Sequence, residues 1–409
     1  MKRITFTLLL ALALIIVSPL AVEAGNGITI ISSDAGAVFP TSIKFSLEAE
    51  SASDIVSVEL EYRVEWHSTV PVDCRVRPDF TTGKHVDISW TWDMLETGGL
   101  PTGTVLEYRW RIEDEYGNEL TTETSTINFD DLRYDWKSIN HGQITFYWYE
   151  GDESFIQNLI AAADDALENL RNEFNCTLGQ PIKLYIYANA MDMQGALIYP
   201  DEWTGGMAFP QYNTIVIGIS PFNLAWGQRA ISHELGHMVV HQMVSGPFGV
   251  LPTWLDEGLA MAAEGELRQD LQSALAQAID RDALFSVHSI TGSLPASTDQ
   301  AELCYAESYS VVKFLSETYG SQKLLDLLGV FAHGSTSDEA LLTVYGFDTE
   351  ELNRRWRINL GLGPEQPGYP SDESGEGGLA APYIVLVVQV VILGVLVILL
   401  SYRYFRRVR

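Results

Sequence analysis

The sequence predicts a multidomain protein with an all-β sandwich near its N terminus, an α+β domain after it and one C-terminal transmembrane helix. Three observations support this fold class. Apolar and polar residues alternate along the first third of the chain, which is typical of half-buried strands. Short apolar strands then alternate with segments of helical periodicity. Near the C terminus, an almost uninterrupted apolar run is long enough to cross a bilayer.

Composition excludes some classes of function. The chain has 409 residues, of which 54 are acidic and 25 basic, and its formal net charge is −29. This length allows roughly two or three domains with a substantial core. Phosphate contacts need clustered Lys and Arg, which so acidic a chain does not supply. The sequence therefore predicts no nucleic-acid partner.

The first residues have the pattern of a secretory signal peptide, predicted over 1–24. Lys2 and Arg3 precede a long apolar segment, and the small residue Ala24 fits a cleavage site. An uncleaved N-terminal anchor is the alternative. Pro19 and the site at Ala24 argue against it.

The C-terminal segment predicts attachment to a membrane. A flexible stalk rich in Gly, Pro, Ser and acidic residues is expected over 363–378, because this composition does not form a packed core. A transmembrane helix is predicted over 379–401, where Gln389 is the only strongly polar residue. The basic tail, 402–409, carries aromatic residues and four arginines, which mark the cytoplasmic side. We therefore expect a single-pass cell-membrane protein with its N-terminal ectodomain outside and its C-terminal tail in the cytoplasm.

Residues 25–132 are predicted to form an Ig-like or fibronectin-like β-sandwich domain. Alternation is clearest over 43–47, 56–64, 86–92 and 105–112. Asp114 to Asn118 is a typical hairpin turn before a further strand. Such a fold carries no function by itself, so a protein or glycan partner for this domain is left open.

The pattern of apolar residues in 133–362 predicts an α+β domain. Short apolar strands are predicted over 144–149, 181–187 and 214–219, and a helix is predicted over 153–174. From 223 onward the pattern is mostly helical. Among the three cysteines, Cys176 and Cys304 fall in this domain and are the best candidates for a disulfide bond, although the sequence alone does not fix the pairing.

One motif in the helical stretch carries the chemistry of a metal site. It reads His233-Glu234-Leu235-Gly236-His237. Histidines four residues apart project from one face of a helix, so both imidazoles can reach one ion. Glu234 sits at the edge of that face, where it could accept a proton from a metal-bound water without being a ligand.

A second motif begins 17 residues after His237, places Glu257 20 residues after it and opens another helical run. It reads Trp254-Leu255-Asp256-Glu257-Gly258-Leu259-Ala260. Together with the segment from Gly206 to Phe209 and with Tyr305-Ala306-Glu307-Ser308-Tyr309, these motifs resemble the peptidase MA-like family, a gluzincin group of zinc metallopeptidases.

The resemblance implies a zincin-like metalloprotease domain with one Zn2+ ion. Its metal ligands would be His233, His237 and Glu257, and Glu234 would act first as general base and then as general acid. Two His, one Glu and an open fourth position are the ligand set of a catalytic zinc. Tyr305 occupies the place of a tyrosine that hydrogen-bonds the developing oxyanion in related enzymes. Tyr309 is its rival, and a packed core tyrosine is the third interpretation.

Two departures from related families narrow the expected activity. Aminopeptidases of this kind carry a Gly-Ala-Met-Glu-Asn segment whose Glu holds the free amine of the substrate. Here the corresponding segment, Gly206 to Pro210, has no acidic residue, which favours an endopeptidase. The Gly and third His that Met-turn proteases need after the motif are also missing.

The roles of three neighbouring residues stay open at this point. His241 continues the histidine face by one turn, but it lies about 5–6 Å farther along the axis, which favours a supporting or surface role over ligation. Glu264 could orient a zinc-bound histidine or face solvent. Asp256 could also orient a zinc-bound histidine, or it could simply interact with the dipole at a helix N terminus.

The sequence thus predicts a membrane-anchored extracytoplasmic zinc metallopeptidase. It would hydrolyse a peptide or protein substrate through a zinc-bound water, with Glu234 as general base. A catalytically silent zincin-fold protein that binds or adheres through its β-sandwich is the alternative. An intramembrane protease is disfavoured, because the histidine motif lies about 140 residues before the predicted membrane span.

Overall fold

The computed structural model describes residues 27–65, 73–199, 205–246, 248–295 and 297–363. The predicted signal peptide, transmembrane helix and basic tail lie outside these ranges, as does the predicted stalk apart from Gly363. No helix within the described ranges is long and apolar enough to cross a membrane.

The N-terminal region is built from seven strands among the described residues, all paired antiparallel in one sheet. They are β1 (Ile28–Val38), β2 (Ser42–Val64), β3 (Asp73–Val76), β4 (Gly83–Asp93), β5 (Thr104–Asp114), β6 (Glu119–Thr121) and β7 (Ser125–Phe129). The β-rich N-terminal region expected from the alternation is confirmed. Its Ig-like or fibronectin-like class remains a prediction.

Strand β2 explains why one sheet can enclose a core. It is 23 residues long, so the segments 43–47 and 56–64 belong to one strand rather than to two. Its first half pairs with β1 and β4, and its second half pairs with β3 and β5 across a register shift near Ile55. Phe45 in the first half lies 5.2 Å from Tyr108 of β5, measured between ring centroids. The sheet therefore folds over on itself around a shared apolar core.

The predicted hairpin turn after β5 is confirmed. The Asp114 carboxylate accepts hydrogen bonds from the backbone N–H groups of Tyr116 and Asn118, at 3.0 and 2.9 Å. The side chains of Asn118 and Ser53 also donate to this carboxylate, and these bonds hold the pKa of Asp114 well below its ordinary value. The turn is thus fixed by an ionised aspartate.

The following region is α+β, as predicted. Its strands are β8 (Lys137–His141), β9 (Ile144–Trp148), β10 (Ile182–Tyr187), β11 (Gly206–Phe209) and β12 (Thr214–Gly218). They form a sheet in the order β11-β12-β10-β9-β8, with the three central strands parallel and both edge strands antiparallel to their neighbours. The short strand β11 is therefore an edge of this sheet.

The α-helices of the described residues all lie in this region. They are α1 (Glu153–Phe174), α2 (Ala190–Gln194), α3 (Leu224–Met243), α4 (Thr253–Ala263), α5 (Gln269–Asp280), α6 (Thr298–Tyr319), α7 (Ser321–Ala332), α8 (Ser337–Tyr345) and α9 (Thr349–Asn359). Helix α1 has the predicted bounds. The Asp152 side chain accepts from the Phe155 N–H at its start, and Asn175 ends it in a left-handed conformation.

The two regions share an interface with direct hydrogen bonds. The Lys183 ammonium donates to the carbonyl oxygen of Gly103 at 2.7 Å, and the Tyr187 hydroxyl donates to the buried carboxylate of Asp131 at 3.0 Å. The Tyr199 hydroxyl donates to the carbonyl oxygen of Leu95 at 3.0 Å. The β-rich region is thus hydrogen-bonded to the region that contains the β8–β12 sheet.

The proposed Cys176–Cys304 disulfide bond is wrong, because all three thiols are free. Cys176 lies just after α1, with its sulfur 3.6 Å from the carbonyl oxygen of Phe174. Cys304 lies near the start of α6. Both are packed in the main apolar core, where burial raises the pKa of Cys176 to about 12 and that of Cys304 to about 11. Packing rather than a covalent bond holds these two segments.

Candidate metal centre

Close helix packing brings the two sequence motifs together. A Cβ placed on Gly236 of α3 would lie 2.5 Å from the Cα of Ala260 in α4. A Cβ placed on Gly258 of α4 would lie 2.5 Å from the carbonyl oxygen of Ser308 in α6. These glycines let α3, α4 and α6 approach closely, so each motif supplies a packing residue next to its polar ones.

Helix α3 has one face for the core and another for the site. Ile231, Leu235 and Met238 are fully buried, whereas the side chains of His233 and His237 are 19% and 17% exposed. The apolar face fixes the rotation of the helix about its axis. Both imidazoles therefore lie on the face of α3 that stays partly exposed to solvent.

The three predicted ligands converge. The Nε2 atoms of His233 and His237 are 3.2 Å apart, and Oε2 of Glu257 lies 3.4 Å from the first and 3.5 Å from the second. This Glu257 oxygen is buried and has no hydrogen-bond partner. A buried carboxylate oxygen aimed between two imidazole nitrogens fits a divalent cation, and two His with one Glu leave a fourth position open, as in catalytic zinc sites.

The charges of the site fit the same interpretation. Burial lowers the pKa of His233, but its contacts with Glu257 and Glu264 outweigh burial and raise that pKa to about 9. Burial raises the pKa of Glu257, but the two histidines lower it by more, so that the pKa is about 2. Without a metal, the positive charge of protonated histidines therefore offsets the negative charge of the carboxylates in this site. A cation that binds would displace these protons, because a metal ligand must be an unprotonated imidazole.

Two further carboxylates face the outer nitrogens of the histidines. Oδ1 of Asp256 lies 2.8 Å from Nδ1 of His237, and Oε1 of Glu264 lies 3.0 Å from Nδ1 of His233. Such partners fix the ring orientation and the tautomer of a ligating histidine. Of the interpretations left open for Asp256 and Glu264, the structure places both side chains against histidines rather than in solvent.

Glu234 lies beneath the edge strand β11. Burial raises its pKa above the ordinary value for glutamate, and the backbone N–H of Ala208 donates to its carboxylate. A Cβ on Gly206 would lie 2.8 Å from Oε1 of Glu234, so a glycine at this point leaves room for the carboxylate. A carboxylate with a raised pKa is better suited to carry a proton in turnover than an ordinary glutamate.

Tyr305, and not Tyr309, lies at the site. The ring centroid of Tyr305 is 5.9 Å from that of His233. Burial raises the pKa of Tyr305, and the nearby charges of Glu257 and Glu234 raise it further. The charged groups next to Tyr309 are instead Lys313 and glutamates outside the metal centre. A raised pKa keeps the Tyr305 hydroxyl protonated, so that it can donate a hydrogen bond.

One contact of the site was not foreseen from the sequence. His241 does not join the three ligands, and its Nε2 lies 2.9 Å from Oδ2 of Asp256. The spacing of His237 and His241, four residues apart on one helix, was the available signal. Which residue of α4 meets them depends on how α3 and α4 pack, which spacing does not give.

We expect Gly258→Ala to destabilise the fold and to lower activity. The added methyl group would meet the Ser308 carbonyl oxygen and force α6, which carries Tyr305, away from α4. Overpacking of this kind typically costs about 1–3 kcal/mol in the free energy of unfolding. Gly329→Ala is a matched control, because Gly329 lies in α7 with open space around it. This substitution should raise the free energy of unfolding by about 0.5–1 kcal/mol. Urea unfolding of the three proteins measures both effects, and equal stabilities for both variants would contradict the packing described.

Comparison with protein families identifies the region that holds this centre. Residues 162–361 match the Peptidase MA superfamily. This region belongs to the Peptidase MA superfamily. The resemblance drawn from the sequence motifs is confirmed, and the match makes this region a metallopeptidase domain. The match spans α3, α4 and α6, so it includes every residue of the candidate metal centre.

Solved structures give weaker similarities. An M1 zinc metallopeptidase from Deinococcus radiodurans is 15% identical, with 86% of this chain and 97% of that chain covered and a TM-score of 0.31. A mutant of that enzyme bound to a Tyr-Ser-Ala substrate is 13% identical, with coverages of 85% and 96% and a TM-score of 0.33. A β-1,3-glucan binding domain of carbohydrate-binding module family 56 is 16% identical over 24% of this chain and 96% of that domain, with a TM-score of 0.16. At TM-scores this low, none of these similarities supports a conclusion about this chain. No curated protein is significantly similar in sequence.

Proposed function

We propose that this Peptidase MA domain is a zinc-dependent endopeptidase. The observation that carries this proposal is the convergence of His233, His237 and the unpartnered buried oxygen of Glu257. These three residues would hold one Zn2+ ion. Zinc in such a site supplies Lewis acidity toward a peptide carbonyl and toward water.

Residues of the chain would perform the proton transfers. Glu234 accepts a proton from the attacking water as the water oxygen bonds to the carbonyl carbon, and passes it to the amide nitrogen as the C–N bond breaks. The Tyr305 hydroxyl donates a hydrogen bond to the oxygen that becomes negatively charged. Asp256 and Glu264 keep the imidazoles of His237 and His233 in the orientation that ligation needs.

Endopeptidase activity is favoured by the segment next to Glu234. From Gly206 to Pro210 it offers no acidic side chain to hold the free amine of a substrate. Its residues Gly206–Phe209 form the edge strand β11, whose backbone can pair with an extended peptide that continues in both directions. Cleavage of a peptide library should therefore include internal bonds of N-terminally acetylated peptides and stop with a zinc chelator. Release of N-terminal residues alone would contradict endopeptidase activity.

We expect Tyr305→Phe to lower kcat by a factor on the order of 10²–10³, with little change in zinc content. The variant removes only the hydroxyl that would donate to the oxyanion. Tyr309→Phe is the matched control, since Tyr309 lies outside the metal centre, and it should keep nearly the wild-type rate. Steady-state kinetics on one cleaved peptide separate the two tyrosines. A larger loss for Tyr309→Phe than for Tyr305→Phe would reverse their assignment.

We also propose that this domain acts on the outer face of a membrane, attached by a single span. This placement is supported only by the sequence of segments 1–24 and 379–401, and proteolysis of intact cells with an added protease would test it. A catalytically silent surface protein that binds a protein or glycan partner through the β-rich region is the alternative function. The complete set of ligands and proton-transfer groups argues against it.

A further inference from the structure

We propose that His241 is a positioning residue that holds the carboxylate of Asp256 and, through it, the imidazole of His237. This role rests on the proposed zinc site. Asp256 has two oxygens, and each meets a different histidine of α3: Oδ1 lies 2.8 Å from Nδ1 of His237, and Oδ2 lies 2.9 Å from Nε2 of His241.

Two hydrogen bonds fix a carboxylate better than one. A carboxylate held by a single oxygen can still turn about its terminal bond, a torsion with broad preferences. A second bond to Oδ2 removes that freedom and leaves Oδ1 directed at His237. The Nδ1 hydrogen bond of a ligating histidine sets its tautomer and ring plane, so a fixed Asp256 gives a fixed Nε2 toward the metal.

The placement of His241 suits this role. His237 and His241 are one turn apart on α3, and Asp256 is at the start of α4. The His241 side chain is 34% exposed, against 22% for Asp256 and 17% for His237. Of the three residues His237, Asp256 and His241, His241 therefore lies nearest to solvent. It shields the Asp256 carboxylate from water, which would compete for Oδ2.

A second metal ion at His237, His241 and Asp256 is the competing interpretation, since these three residues also lie close enough to share one. Both Asp256 oxygens already have an imidazole partner, so that ion would have to displace two hydrogen bonds. Nδ1 of His237 already faces Asp256, and its Nε2 faces His233. The geometry thus favours a hydrogen-bonded role for His241.

Zinc affinity of the full chain tests this role without relying on activity. We expect His241→Ala to raise the zinc dissociation constant by about 10-fold or more, measured by competition with a chromogenic chelator. His241→Gln should recover most of the affinity, because its amide N–H can still donate to Oδ2 of Asp256. His333→Ala is the matched control, as His333 contacts the Gly329 carbonyl far from α4 in sequence and should leave the affinity unchanged.

The outcomes separate this inference from the function on which it rests. If the wild type binds one zinc tightly and His241→Ala binds it equally well, the role of His241 is wrong and the zinc site stands. Loss of a second equivalent of zinc in His241→Ala would instead establish the competing metal site. A wild type that binds no zinc would overturn both. Thermal unfolding of the metal-free variants shows whether any loss of affinity comes from misfolding, and His241→Gln gives an independent result if His241→Ala does not fold.

Discussion

Glu234→Gln should lower kcat for peptide hydrolysis by a factor on the order of 10²–10⁴ while zinc stays bound. Glutamine has nearly the size of glutamate, so it fits beneath Gly206 in the space that the carboxylate now occupies. Its neutral amide cannot accept the proton of an attacking water. Glu234 is also not among the three residues whose ligand atoms converge, so the metal should remain.

The measurement is a pair of numbers from one preparation: kcat on a cleaved peptide and the zinc content per chain. Glu266→Gln is the matched control, because it removes an exposed carboxylate near α4 and should leave both numbers unchanged. A Glu234→Gln variant with a normal rate would exclude Glu234 as the general base. A variant that lost its zinc would show instead that Glu234 helps to hold the metal.

Glu257→Ala should abolish tight zinc binding and, with it, the stabilisation that zinc gives the fold. It removes the one ligand atom that comes from α4 and leaves two imidazoles from the single helix α3. A ligand that binds only the native state stabilises it by about 2.7 kcal/mol when its concentration is 100 times its dissociation constant. Wild-type protein should therefore unfold at a higher temperature after zinc is added, whereas the variant should not respond.

Thermal unfolding with and without added zinc measures this difference, with Glu266→Ala as the control for loss of a nearby carboxylate. An equal zinc-dependent rise in Tm for wild type and Glu257→Ala would remove Glu257 from the ligand set. Hydrolysis should be lost in parallel, because the metal is required for it.

Local sequence features predicted much of the fold and the meeting of the two histidines. Helix α1 was predicted at residues 153–174 because its apolar spacing is a property of neighbouring residues. His233 and His237 share a face by helical spacing alone, and the residues meet as expected. These features depend on contacts within one or two turns, which a sequence displays directly.

Contacts between distant segments were harder to predict. The prediction of a Cys176–Cys304 bond was wrong, because cysteine pairing depends on how separate segments pack. Both thiols are buried in the apolar core without a bond between them. The alternation of β2 did not show that its two halves form one strand, since strand pairing is set by partners far along the chain. The bond between His241 and Asp256 likewise depends on the packing of α3 against α4.

Reconstitution with zinc tests most directly whether one metal ion held by His233, His237 and Glu257 hydrolyses peptide bonds. The full chain would be stripped of metal, titrated with zinc and assayed at each step on a cleaved, N-terminally acetylated peptide. We predict that the metal-free protein is inactive, and that the rate rises linearly with zinc and stops rising at one equivalent per chain. Hydrolysis by the metal-free protein, or stoichiometric zinc binding with no cleavage in a broad peptide library, would contradict the proposed function.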